Sequence, residues 1–290
     1  DMIEQQASVL VATRLFFNAS DEVNRREFST FANGVMVQHA ELLSLTWLPY
    51  VRDDERAALE DAAHADGLPG FMIRDYHSTG AFARAGSREA YCPILYASSR
   101  YDGTALLGVD MLSDPVRRAL LQRACDAGTV VLSSPLRLIQ VTNQSPGVLM
   151  AVAVYHTADV PATTEARRQQ LVGYLVAAFA VHDIVKRCVS QHVPLNAFLH
   201  IRDVTVQGAD NWLYQGNPWA SGTHTVATPL RKLARLTTSQ RIRVADRTWE
   251  FDCTDTSPHT PLSELHTSWI VLLVGILTTA LLSQHQQQIL

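Results

Sequence analysis

Lysine is almost missing from this chain: Lys186 and Lys232 are the only two in 290 residues, and no basic run builds a phosphate-binding face. With a formal net charge of −4, nucleic acid is not an expected partner. Catalytic signatures are missing too. There is no glycine-rich phosphate loop, no GxSxG elbow and no HExxH helix, and the 11 histidines are scattered, with only Glu264 as an acid between His259 and His266. The 4 cysteines, Cys92, Cys125, Cys188 and Cys253, have no metal-ligand spacing, so no metal or other cofactor is expected. Cys92 on a predicted strand and Cys125 on a predicted helix suit buried thiols, with a Cys188–Cys253 bridge as the alternative.

Charge is missing from one end of the chain, because no Asp, Glu, Lys or Arg follows Glu264 as far as Leu290. Trp269 to Leu282 is apolar enough for lipid. A span needs about 20 residues, and the strictly apolar run is shorter, so a buried core helix stands beside a transmembrane helix over 265–290. Trp269 suits a membrane interface. At the other end, Met2, Val9, Phe16 and Val23 recur every seven residues, with Ile3, Leu10 and Phe17 beside them, which predicts one long helix over 1–40. That helix either covers its own domain's core or forms a homodimer seam continuing a first transmembrane helix.

What remains is an ordinary globular composition, 47% hydrophobic and 18% charged, enough for one sizeable core or two smaller ones. Leu43 to Val51 predicts a strand, Asp53 to Ala65 a helix stopped by Gly67 and Pro69, and Phe71 to Tyr76 another strand. His77 to Arg88 reads as a loop and Thr157 to Gln170 as a polar connection before a strand at Leu171 to Phe179. Between Gly108 and Leu138, a Gly-Val-Asp strand meets a helix capped by Ser113 or Asp114, with Pro115 at its start and Gly128 after its last turn, then another strand. A smaller strand-rich unit follows, with strands within Val193 to Val206, from Trp212, near Thr223 to Thr228, over Gln240 to Val244 and over Thr248 to Cys253.

That Gly108–Leu138 core resembles the CHASE family of extracytoplasmic ligand sensors. The resemblance also takes in Phe17, Ser20, Val23, Glu27-Phe28, Leu45 to Val51, Tyr91 to Tyr96, Gly147 to Tyr155 and Gly173 to Phe179. It implies an α+β fold: a long N-terminal helix (1–40), two PAS-like antiparallel-sheet domains in tandem (41–182 distal, 183–262 membrane-proximal), then a transmembrane helix (265–290). It implies a non-enzymatic sensor in the cell's inner membrane, residues 1–262 extracytoplasmic, binding a small molecule and driving an output domain such as a histidine kinase or a cyclic-dinucleotide enzyme. A ligand-free dimerisation or assembly module is the competing class, and a soluble enzyme comes third.

In the plant cytokinin receptors of this family the core helix offers an aspartate to the adenine ring, the following strand a backbone group and the next strand a threonine. Counting from Leu132-Ser133-Ser134-Pro135, those places fall on Arg117, Ile139 and, allowing a short gap after Val141, Ala151. Guanidinium has donors only, so Arg117 cannot accept the adenine N–H. It sits in the first turn of its helix, where the macrodipole disfavours a cation by about 0.3–1 kcal/mol, which calls for a negative partner. That partner is either an anionic ligand or an internal carboxylate, Asp110 or Asp114. Ser133, Ser134, Tyr96 and Arg118 are further candidates for the pocket wall.

Overall fold

The structure, a computed structural model, describes residues 2–20, 22–77, 81–139, 146–189, 197–205, 211–218 and 237–255. It opens on two helices, α1 (Met2–Asn18) and α2 (Arg25–Gln38), where the heptad spacing predicts one. The break has a local cause. Asn24 accepts a hydrogen bond from the Glu27 amide at 3.0 Å while the Glu27 carboxylate accepts from the Asn24 amide at 3.2 Å, a capping box that starts α2 afresh. Asn24→Ala is expected to cost about 1 kcal/mol, read as a lower urea midpoint at unchanged slope. Of the two apolar rows in α1, the inward one runs through Leu10, which is fully buried, to Phe17, whose ring lies 4.5 Å from that of Trp47. The helix therefore covers its own core, as in the first of the two readings.

Eleven strands follow in the first unit. They are β1 (Leu42–Pro49), β2 (Val51–Arg52), β3 (Arg74–Tyr76), β4 (Phe82–Arg84), β5 (Ala90–Tyr91), β6 (Tyr96–Ser99), β7 (Val109–Asp110), β8 (Val131–Leu132), β9 (Leu136–Arg137), β10 (Pro146–Tyr155) and β11 (Leu171–Ala180). The helix α3 (Arg56–Ala65) lies between β2 and β3, α4 (Pro115–Ala127) between β7 and β8, and α5 (Thr164–Gln169) between β10 and β11. The predicted loop at His77–Arg88 thus contains β4, and the polar connection at Thr157–Gln170 contains α5, whose N-cap Thr163 accepts from the Ala166 amide at 3.1 Å.

The main sheet has the order β6-β1-β11-β10-β8, all antiparallel, with β9 also on β10. Period-two alternation sends its residues to two buried faces. Leu45, Val152, Leu175 and Phe179 meet α1 and α2. Leu48, Ala151, Val176 and Tyr174 meet Leu120 and Leu121 of α4. Smaller pairings complete the unit, β2 with β5 and β4 with β3, while β3 and β7 run parallel. That parallel contact depends on Gly108, at φ +79°, where a Cβ would lie 2.1 Å from the Met72 carbonyl oxygen.

A connecting helix, α6 (Val181–Val189), leads to a second antiparallel sheet of β12 (Ala197–Asp203), β13 (Trp212–Gly216), β14 (Thr237–Val244) and β15 (Arg247–Asp255), ordered β13-β12-β15-β14. Its inner residues Leu199, Ile201, Leu213 and Trp249 join the apolar cluster that holds Leu132 and Val148 of the main sheet. All four cysteines are thiols, so the Cys188–Cys253 bridge is not formed. Among the described residues no helix is long and apolar enough to cross a membrane. The span read at 265–290 and the strand read at Thr223–Thr228 lie outside the described residues.

Candidate functional site

Helix α4 starts where its sequence dictates. Asp114 accepts a hydrogen bond from the Arg117 amide at 3.0 Å, Pro115 follows it, and Gly128 ends the helix at φ +68°. Of the two cap candidates, Asp114 is the one used. Its carboxylate also meets the Arg117 side chain, Nη1 to Oδ1 at 3.4 Å. Arg117 is buried, donates from Nη2 to the Arg137 carbonyl at 2.8 Å and lies 4.7 Å over the Tyr76 ring. Burial pulls its pKa below the ordinary arginine value, against the opposing pull of Asp114 and Tyr76. The negative partner that its helix position calls for is thus supplied by the chain itself.

The other predicted wall residues divide between the two faces of the sheet. Ser133 is buried and its hydroxyl accepts from the Leu149 amide at 2.9 Å. Ala151 is fully buried opposite Val131, and Ile139 packs on the α4-side cluster. Tyr96 pairs with Trp47 across the sheet and its ring lies 5.7 Å from Phe28, on the face covered by α1 and α2. It therefore faces away from α4, since cross-strand partners share a face.

A cleft of about 650 Å³ opens on the α4 side, and Arg118 is the predicted residue that lines it. Arg118, Gln122 and Cys125, spaced four and three residues apart on α4, form one wall. Cys92, Ala90 and Tyr174 line the cleft as well, and Arg88, Glu89, Asp126 and Arg168 add charge. Burial raises the pKa of Cys92, of Cys125 and, strongly, of Tyr174. These three line the cleft as neutral groups at physiological pH, and its charge lies on the guanidiniums and carboxylates.

Two of the three guanidiniums are already engaged. Arg168 forks onto Asp126 with two bonds of 2.7 Å and holds that carboxyl below its usual range. Arg88 bonds Asp75, lies 5.2 Å over the Tyr91 ring, and reaches to 3.4 Å from buried Asp110. Arg118 donates from Nε to the Leu112 carbonyl at 2.7 Å and has no carboxylate partner among the described residues.

A model of the CHASE domain matches residues 21–214, two thirds of the sequence, including α4 and every residue that lines this cleft. The chain belongs to the CHASE domain family. It is 25% identical over 248 residues to histidine kinase 3 of Arabidopsis thaliana, an alignment covering 79% of this chain and 23% of that protein. With histidine kinase 2 of the same plant it shares 32% identity over 111 residues, 38% of this chain and 9% of that one. The chain thus spans under a quarter of the length of these curated relatives. In fold it is similar to a methyl-accepting chemotaxis protein X structure, with a TM-score of 0.51 at 9% identity over 87% of this chain and 90% of that one. The periplasmic sensory domain of the Campylobacter jejuni chemoreceptor Tlp1 also gives 0.51, at 9% identity over 90% and 92% of the two chains. As a CHASE sensor domain, the matched segment has a sensing role and supplies no catalytic centre of its own.

Within the CHASE segment, sequence reasoning missed Arg88, Glu89, Gln122, Asp126, Arg168 and the facing thiols. Helical spacing gives a usable signal for one wall only, the Arg118–Gln122–Cys125 row.

Proposed function

We propose that the chain is the extracytoplasmic sensing part of a membrane receptor, and that a small molecule enters the cleft beside α4. The observation carrying this is the 650 Å³ cleft itself, of a size for a small ligand and lined by both neutral and charged side chains, inside the CHASE-matched segment. Residues 41–182 then act as the membrane-distal domain and 183–262 as the proximal one, with 265–290 as the span leading to an output domain, a histidine kinase or a cyclic-dinucleotide enzyme. The working unit is a homodimer. The assembly-module reading treats the wall beside α4 as core and gives the cleft no role.

Helix α4 supplies a route for the signal. One face carries the cleft wall, and the next residue after Gln122 is Arg123, whose Nε lies 3.3 Å from Asp246 at the β14–β15 turn. Asp246 also accepts from the Leu132 amide at 2.7 Å, tying the turn to β8. A shift of α4 on ligand entry therefore moves the second sheet, provided the ligand binds the two positions with different affinity.

The test is thermal unfolding of the 290-residue chain against a small-metabolite library, with Gln122→Trp filling the cleft from an exposed position. A ligand at about a hundred times its Kd adds roughly 2.7 kcal/mol and a shift of several degrees. We expect such a shift in the parent chain and its loss in Gln122→Trp. A shift that survives the substitution places the ligand elsewhere, and no shift from any compound favours the assembly module.

A further inference from the structure

Among the described residues, the cleft contains one cation and one anion without a charged partner. Arg118 has its Nε on the Leu112 carbonyl, and its two Nη groups have no partner among the described residues. Glu89 lines the same cleft, and among the described residues its carboxylate forms no ion pair or hydrogen bond. The remaining charges are matched, Arg168 by Asp126 and Arg88 by Asp75. A simple anion would gain Arg118 but meet Glu89 and Asp126, and a simple cation would meet three guanidiniums. A molecule carrying both signs satisfies both unmatched groups.

We propose that the ligand is a small zwitterion, its carboxylate forked by Arg118 and its ammonium held by Glu89. Planar guanidinium suits a carboxylate, and an exposed carboxylate in the same cleft suits an ammonium. The same cleft is lined by Ala90, Cys92, Cys125, Leu171 and Tyr174, which accept an apolar or polarisable body of a few carbons. This inference rests on the cleft being the sensing site.

The probes are the proteinogenic L-amino acids, each compared with the acid lacking its amino group and the amine lacking its carboxylate, by thermal shift and calorimetry on the 290-residue chain. At least one amino acid is expected to bind while both of its singly charged counterparts bind at least about 10-fold more weakly, the loss of one charge-assisted contact. Arg118→Ala should weaken the amino acid and leave the amine unchanged, and Glu89→Gln should weaken the amino acid and leave the acid unchanged. Both positions are exposed, so both variants should fold. An acid that binds as well as its amino acid, or amino-acid binding that ignores both substitutions, overturns the proposal. If only uncharged compounds such as adenine-type cytokinins bind, and Gln122→Trp abolishes it, the cleft remains the sensing site and the zwitterion is wrong. If nothing binds there, both fall.

Discussion

Asp110→Ala is expected to destabilise the chain by about 3 kcal/mol, because it takes the acceptor from two backbone amides at once and leaves a cavity at a fully buried site. Asp110 is fully buried, and its Oδ1 accepts from the Cys92 amide at 2.8 Å and the Leu112 amide at 3.0 Å. Cys92 and Leu112 both line the cleft, so the same side chain fixes the cleft's shape from behind. Burial raises the Asp110 pKa above its usual 3.8, and the two amides and Arg88 oppose that rise without cancelling it. An acid whose pKa is raised on folding costs stability above its folded pKa, and that cost disappears as pH falls through the folded value towards the unfolded one. Asp110→Asn keeps one acceptor and removes the titration. Its deficit relative to the parent chain should therefore widen between pH 7 and about pH 4, while acid effects common to both proteins cancel. Urea unfolding of the three proteins at both pH values measures this, and a deficit that narrows in acid would refute the assignment.

Much of the frame around this residue was legible because its causes are local. Asp114, Pro115 and Gly128 sit within or beside α4 and fix both of its ends, and the strands read at Leu43–Val51 and Leu171–Phe179 became β1 and β11, the paired centre of the main sheet. The N-terminal region misled because two apolar rows fit the seven-residue spacing, while the Asn24-x-x-Glu27 capping signature that divides it was passed over. Arg117 was read with two possible partners, and the choice between a ligand and Asp114 is made by side-chain geometry. Tyr96 went to the opposite face because its register with Trp47, set across 49 residues of chain, decides which way it points. The cleft was the least legible part. Its walls come from the segments around Arg88, Arg118 and Arg168, far apart in sequence, and no local periodicity reports which unmatched charges the fold will bring together.

Asp203→Ala should have the larger effect in the second sheet, about 3–5 kcal/mol, since it leaves a buried guanidinium without its counter-charge. Asp203 is 1% exposed and Arg247 5%, and the two form an ion pair between the end of β12 and the start of β15. The Thr205 amide donates to Asp203 at 2.9 Å, so the substitution also removes that amide's acceptor. A buried pair is weak evidence of net stabilisation, because taking two charges out of water costs about as much as their attraction returns. The double variant Asp203→Leu, Arg247→Met should therefore recover most of the loss, leaving a coupling energy of at least about 2 kcal/mol in a double-mutant cycle. Hydrogen exchange gives the structural readout. Arg247 adjoins Asp246, the residue that accepts from the Leu132 amide, so in Asp203→Ala the amides of β14 and β15 and the Leu132 amide should lose protection together, while those of β1 and β11 retain theirs. Uniform loss across both sheets would mean that the two unfold as a single cooperative body, and a route from α4 through Arg123 and Asp246 would then have no separately movable element on which to act.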